Sequence, residues 1–370
     1  MKIKFLIFGL LFVYQAMTSA HALRFIKDIN ITNGTEVSGS PVGGLSGCAY
    51  DEAKQRLLAV SDDRSERAPA RVFEFEIKLE PDVKITPKGV LLLTDEQGNH
   101  FAKGRVDFEA ISLLGNGNFL LSSEGNGDLR PRIPPAFILF DSKGKRQSTW
   151  TLPSYLIPEQ KSKQLLGVRN NLAFEAFTRI PNSQKFIAIS EQALIQDGPL
   201  TGNETHSPSR VLFFESKNDE REAQIVNSYV YLTDSFVDIL NEPTVKGDSG
   251  VSEALALNDK EFLVLERSFF PSILKTRIRI FKAEIQNEST DVSKYEALKD
   301  VKYVPVKKKL LIDLNDYISL LDQSYSSLDN IESMCWGPRL SNGKRSLILI
   351  SDNNFNVFQR TQFVILETDF

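Results

Sequence analysis

Between Asp107 and Gly127 the chain reads DFEAISLLGNGNFLLSSEGNG. A short apolar run, a tight turn at Gly115-Asn116-Gly117 and a second β-rich run predict an antiparallel hairpin. One carboxylate stands near each outer end, Glu109 before the turn and Glu124 after it. An antiparallel hairpin brings those two ends together.

The pattern recurs. LSGCAYDEAKQRLLAVSDDR begins at Leu45, FEAFTRIPNSQKFIAISEQ at Phe174, SEALALNDKEFLVLERS at Ser252 and IESMCWGPRLSNGKRSLILISDNN at Ile331. Four of the five second strands end in Ser plus an acid: Ser61-Asp62, Ser123-Glu124, Ser190-Glu191 and Ser351-Asp352. The fourth unit has Leu265-Glu266 in that place. Two further strand-like runs follow each hairpin except the last, which has only QFVILET. Units of four strands, starting 63 to 79 residues apart, predict an all-β fold, a single β-propeller. The apolar, alternating LRFIKDINI from Leu23 supplies the missing strand and closes a ring of five blades, leaving no open edge. Six blades are the alternative, if the long third or fourth unit hides another sheet. Leu314 to Leu328 is the one stretch with helical periodicity.

In such a ring the inner strand of each blade lines the channel and the second strand returns beside it. Glu109, Glu175, Glu253 and Glu332 are then placed on one rim as candidate general bases. Asp62, Glu124, Glu191, Glu266 and Asp352 join them as candidate metal ligands. Ser46 replaces the first acid in unit one. Crowded carboxylates repel and need cations. Ca²⁺, which takes oxygen ligands in flexible geometry, suits such a rim. Arg64, Arg105, Arg169 and Arg267 adjoin the acids, and guanidinium groups bind phosphate in a bidentate fork. The rim is thus expected to hold a metal and a small anionic substrate. The competing reading makes each acid a structural group, capping backbone or paired with a neighbouring Arg.

The first 22 residues are different. Lys2 and Lys4 precede an apolar run from Phe5 to Val13, and Ala20-His21-Ala22 makes an A-x-A site. These are the parts of a secretory signal peptide, so residues 23–370 are expected to form one exported domain, periplasmic or secreted and monomeric. An uncleaved membrane anchor is the alternative. Losing two Lys leaves 42 basic against 48 acidic residues, a net charge of −6, which argues against nucleic acid as a partner. No second stretch is long and apolar enough for a membrane helix.

Only two cysteines occur, Cys48 and Cys335. Both fall on inner strands, two residues after Ser46 and three after Glu332, in units that become neighbours on closure. Their opposite parity points them either toward each other or away. Export would allow a bridge, and two buried thiols are the other outcome. Two histidines, His100 and His206, remain after residue 22, and no zinc motif, P-loop or dinucleotide fingerprint is present. GLSGC around Ser46 lacks the last Gly of a nucleophile elbow.

GRVDFEAISLLGNGNFLLSSEGNG, with PRIPPAFILFDSKGK, GVSEALALNDKEFLVLERSF and LILISDNNF, resembles the exported bacterial phytase-like family, described by esterase-like activity of phytase. The resemblance runs from about Gly43 to the end. It implies a β-propeller and hydrolysis of phosphate or carboxylic esters, with no residue roles to carry over. Three readings follow: a metal-assisted phosphoesterase, a non-catalytic ligand- or partner-binding propeller with a structural ion site, and a carboxylic esterase using Ser46.

Overall fold

The computed structural model describes residues 22–370 except 243–245, 323, 325 and 326. The expected signal peptide, all but Ala22, lies outside the described residues. What is described is an all-β ring of five four-stranded blades.

Blade one runs Leu45–Asp51, Arg56–Ser61, Arg71–Lys78 and Lys84–Leu92. Blade two runs Phe108–Leu113, Phe119–Ser123, Ala136–Phe140 and Arg146–Thr149. Blade three is Ala176–Arg179, Lys185–Ile189, Pro208–Lys217 and Glu222–Leu232. Blade four is Asp248–Ala256, Glu261–Phe270, Lys275–Glu284 and Lys307–Asp313. Blade five combines Ile331–Arg339, Arg345–Ser351 and Thr361–Thr368 with the N-terminal strand Leu23–Ile31 outside them. That strand is antiparallel to the C-terminal one, Leu23 facing Thr368 and Ile31 facing Thr361. The inner strands neighbour one another in chain order, and the fifth returns to the first.

The ring is held by apolar seams between blades. Phe137, Trp150, Phe177, Phe186 and Phe214 interlock across blades two and three, with Phe137 and Phe177 ring centroids 4.6 Å apart. Phe73, Phe75, Ile348, Ile350 and Phe363 do the same where blade five meets blade one. Each such side chain, fully buried, contributes about 1.5–3 kcal/mol.

The extra length of the fourth unit does not form a sixth blade. Between Glu284 and Lys307 the chain folds over the outer strand of blade three, with Val292 N–H donating to Ser228 O and Val306 N–H to Val230 O. Val292 and Leu298 pack on Val230 there. A sheet edge that would otherwise be open is thus covered. The segment is anchored by Asp197, which accepts from Leu298 N–H at 3.0 Å and pairs with the fully buried Arg210. Among the described residues of the stretch from Leu314 to Leu328, only Leu314–Leu320 is helical, as a 3₁₀ turn capped by Asp313. A short helix, Phe236–Leu240, begins at a capping box between Ser235 and Asp238 that the sequence reading missed. Among the described residues no helix is long and apolar enough to cross a membrane.

The cysteines face each other. Cys48 and Cys335 form a disulfide with Cα atoms 5.6 Å apart, joining the inner strands of blades one and five. Such bonds persist in oxidising compartments. The bridge spans 287 residues of sequence. In the chain-entropy model a loop that long is worth on the order of 5 kcal/mol. The double variant Cys48→Ser, Cys335→Ser is therefore expected to melt well below the parent in a calorimetric scan. Deleting Leu23–Ile31 should expose the edge of Thr361–Thr368 and cause aggregation, read by size-exclusion chromatography.

Candidate functional site

Blades one, two, three and five start in the same way. The backbone N–H groups of Asp62, Glu124, Glu191 and Asp352 donate to the carbonyls of Gly44, Asp107, Ala173 and Asn330, at 2.7–2.9 Å. Two residues after each of those carbonyls stand Ser46, Glu109, Glu175 and Glu332. In blades one, two and five this residue falls where the pairing register shifts, at a β-bulge. A bulge re-aims a side chain, and here it turns the acid into the channel mouth. The preceding serines fasten the turn behind it: Ser123 Oγ accepts from Asp107 N–H, and Ser61 Oγ donates to Gly43 O.

Blade four departs from the expectation by one residue in both strands. Gly250 pairs with Arg267 and Val251 with Glu266, and the register shifts between Val251 and Glu253. The residue at the acid position of the inner strand is therefore Ser252, and that of the second strand is Arg267. Gly250 is required because a Cβ there would lie 2.5 Å from Glu191 Cγ. A one-residue slip sends a side chain to the other face of a sheet. Glu266 accordingly points away from the mouth. It is fully buried beside Tyr231, whose hydroxyl donates to it at 2.6 Å, and it pairs with Lys308 and Arg279. Glu253 lies further down the channel, accepting from the N–H groups of Phe177 and Ala254. It lines a cavity of about 140 Å³ with Cys48, Cys335 and Trp336, and burial holds its carboxyl well above the usual range.

The mouth itself is a cavity of about 320 Å³. Ten of its sixteen lining residues are Asp or Glu and only three are Arg, so the charges do not balance. Of the sequence candidates it gathers Asp62, Glu109, Glu124, Glu175, Glu191, Glu332, Asp352, Arg64 and Arg267. It does not gather Glu253, Glu266, Arg105 or Arg169. Arg105 is exposed outside the cavity, and Arg169 spends its guanidinium on the carbonyls of Ala193 and Gly198. Ser46 is buried, and its hydroxyl has no hydrogen-bond partner. Neither histidine lines the cavity: His206 Nδ1 sits against Thr233 O, and His100 Nδ1 against Leu93 O. No Ser-His-Asp triad is assembled among these groups.

Sequence reasoning missed Asp107, Asp248, Arg67, Asn171 and Phe355. Asp107 is almost fully buried and pairs with Arg64 at 2.6 Å. It lies one residue before the inner strand of blade two, a position the repeat could have flagged. Arg67 stacks on Phe355, 4.3 Å from the ring centroid, at the outer lip.

The two internal arginines are already committed. Arg64 holds Asp107 and also donates to Asn171, while Arg267 lies 3.3 Å from Glu332 and 3.8 Å from Glu191. Asp63 pairs with the buried Arg71, and the remaining acids are uncompensated. Burial, then neighbouring carboxylates, holds Asp62, Glu109, Glu175 and Asp352 well above the usual carboxylate range. Burial likewise raises Glu191 strongly, and pushes Glu124 up to about 8. Two triads stand out, Asp107–Glu109–Glu124 and Glu124–Glu175–Glu191, each with ligand oxygens within 4.8 Å of one another. Such buried clusters could hold a metal ion. Glu175 Oε2 fits that use: it is buried and has no hydrogen-bond partner. The donors are all carboxylates, with no His or Cys, which suits a hard cation.

The sequence model described as "Phytase-like: Esterase-like activity of phytase" matches residues 40–355. The chain belongs to the phytase-like family. No curated protein matches it. Among solved structures, an endo-arabinase from Bacteroides thetaiotaomicron is 10% identical, with a TM-score of 0.44 over 90% of this phytase-like chain and 96% of its own. The periplasmic gluconolactonase of Pseudomonas aeruginosa is also 10% identical, with a TM-score of 0.34 over 84% and 82%.

Carboxylates whose pKa is raised by folding bind protons more tightly in the native state than in the unfolded one. Their contribution is then favourable below the unfolded pKa and is lost as pH rises through the folded one. For Glu124 that window runs from the ordinary glutamate value up to about 8. Stripped of cations with chelator, the phytase-like chain should lose melting temperature between pH 5 and 9. Added Ca²⁺ should restore it at the upper end by mass action. Melting curves with and without chelator read both effects.

Proposed function

We propose that this phytase-like chain is an exported, cation-dependent phosphoesterase acting on a small anionic substrate at the acidic mouth. The observation that carries the reading is the pair of buried carboxylate triads opening onto one cavity. The surplus of acid would repel a phosphate unless divalent cations, with Ca²⁺ the first choice, filled the triads. A cation bound there supplies Lewis-acid stabilisation of phosphoryl oxygens and acidifies water.

The chain's own groups divide the remaining work. Asp107, Glu109, Glu124, Glu175 and Glu191 would hold the cation. Arg67, exposed at the lip, is free to meet the substrate's negative charge. Glu332 is the best-placed general base. Asn330 and Arg267 both contact its Oε1, which fixes the carboxylate and leaves Oε2 to take a proton from water. Burial raises its pKa, toward the range in which a base works best. The disulfide and the predicted signal peptide support an oxidising destination.

Hydrolysis of p-nitrophenyl phosphate should require Ca²⁺ or Mn²⁺ and vanish with chelator. Glu332→Gln should lower kcat by about 10²–10⁴-fold, as for loss of a general base, and leave cation binding unchanged. Cation binding without hydrolysis of any phosphate ester would make the site structural. Cleavage of p-nitrophenyl acetate alone, unaffected by chelator, would favour the carboxylic esterase.

A further inference from the structure

We infer that the face opposite the acidic mouth carries a second ligand site, a cleft between blades one and two that takes an amphipathic organic anion. The apolar body of the ligand lies in the cleft, and its anionic head meets Arg345.

The cleft arises from an asymmetry in blade one. Strand Arg71–Lys78 alternates, and it sends Phe73, Phe75 and Ile77 into the filled seam with blade five. Its other face sends Val72 and Glu74 toward blade two. Val72 joins the apolar cluster of that seam, but Glu74 does not, and below Val72 the seam opens. Blade two offers only small groups to close it, the turn at Gly115-Asn116-Gly117 and Ser142. The result is a cavity of about 770 Å³, more than twice the volume of the mouth. Small-molecule sites run from about 300 to 1,000 Å³. The buried Leu58, Val72 and Phe119 line this one, with Leu91 and Leu113 only half-buried beside them.

A glycine points the same way. Gly89 lies inside strand Lys84–Leu92, opposite Glu74, and lines the cleft. Glycine within a strand weakens it and often marks the close approach of a ligand or another backbone. No backbone approaches here. The φ of Gly89 is not positive, and a Cβ would meet nothing nearer than Glu74 Cβ at 3.8 Å. The fold does not require this glycine, and the space it leaves belongs to the cleft.

Charge chooses the sign of the ligand. All three acids lining the cleft are engaged: Asp51 and Glu74 with Arg56, and Glu52 with Arg345. Lys54, exposed at the entrance, has no ion-pair partner among the described residues. Arg345 is only loosely compensated. It lies over the Trp336 ring, 4.7 Å from the centroid, and burial lowers its pKa. Its acid, Glu52, has a side chain 66% exposed, and so open an ion pair is worth little. Arg345 also stands where the cleft adjoins the smaller cavity at the lower end of the channel, since it lines both with Tyr50 and Leu113. An anion there meets a guanidinium already oriented on an aromatic face, so little ordering remains to be done on binding.

Anilinonaphthalene sulfonate, an anion with an aromatic body, tests the inference on the folded protein by fluorescence titration and equilibrium dialysis. One bound probe per chain is expected, displaced by decanoate and not by decanol. Gly89→Leu fills the cleft where a Cβ has room, and should abolish binding without lowering the melting temperature. Arg345→Met should weaken binding about tenfold, the loss expected for one charge-assisted hydrogen bond. Chelator and Glu332→Gln should change nothing, because the mouth is at the other end of the channel. No binding by the folded parent, binding that chelator removes, or undiminished binding by a folded Gly89→Leu would each overturn the site. Equal displacement by decanoate and decanol, or full affinity in Arg345→Met, would overturn the anion. Competition on the parent needs no variant, so a substitution that fails to fold does not decide the outcome.

Discussion

Mutual repulsion among buried carboxylates is the constraint around which the rest of this molecule is arranged. The propeller turns one hairpin into a ring and so concentrates most acids of the repeat on one mouth. Each carboxylate taken from water into that mouth is penalised by desolvation and again by its neighbours. The protein answers with three devices. Arg64 and Arg267 neutralise some acids, Asp63 is turned away onto the buried Arg71, and Glu109, Glu124 and Glu175 stand with Asp107 and Glu191 in two groups that could hold a metal ion. Without a bound cation, burial and neighbouring carboxylates raise the carboxyls of these acids, that of Glu124 up to about 8.

The fold was legible because it repeats. The hairpin at Phe108–Ser123, its relatives and the lone N-terminal strand give blade number and closure from pattern alone, and Leu23–Ile31 takes the place expected of it. The site was legible only as far as register was. In blades one, two, three and five the Ser-acid ending marks the second-strand position, and Asp62, Glu124, Glu191 and Asp352 all reach the cavity. Blade four lacks that marker. Its SEAL resembles FEAI, so Glu253 and Glu266 looked equivalent to the other acids. The β-bulge that settles the matter at Ser252 has no signature in sequence. Arg105 and Arg169 adjoin the acids along the chain, but adjacency says nothing about the direction a loop residue faces.

The slip in blade four has a physical consequence beyond bookkeeping of positions. With Arg267 in place of a fifth carboxylate, the second-strand ring carries four acids and one guanidinium instead of five acids. A five-fold acidic ring would have no preferred side. Breaking the symmetry gives the mouth one half that is internally compensated and another that is not. The acid lost from the mouth reappears behind it as Glu266, held by Tyr231, Lys308 and Arg279 in the seam between blades three and four. Removing one partner from a buried network of that kind leaves a charge unpaired, which is strongly destabilising.

Closure of the ring must withstand the same repulsion. From blade one to blade four, each outer strand runs on covalently into the next inner strand. The chain ends meet inside blade five, where the backbone pairing of Leu23–Ile31 with Thr361–Thr368, the packing around it and side-chain contacts such as Gln362 to Asp28 and Arg24 to Glu367 hold the seam without a covalent link. If that pairing opened, blade five, with Glu332 on its inner strand and Asp352 just after its second strand, could swing away from blade one and relieve the crowding. The disulfide lies across that path. Cys335 is three residues from Glu332 on the same inner strand, and Cys48 is on the inner strand of blade one. The covalent bond is thus placed close to the axis, beside the charges that push the blades apart, while the noncovalent closure lies at the periphery. Loss of the bridge should therefore loosen the acidic mouth before it unravels the outer strand, because the load originates at the mouth.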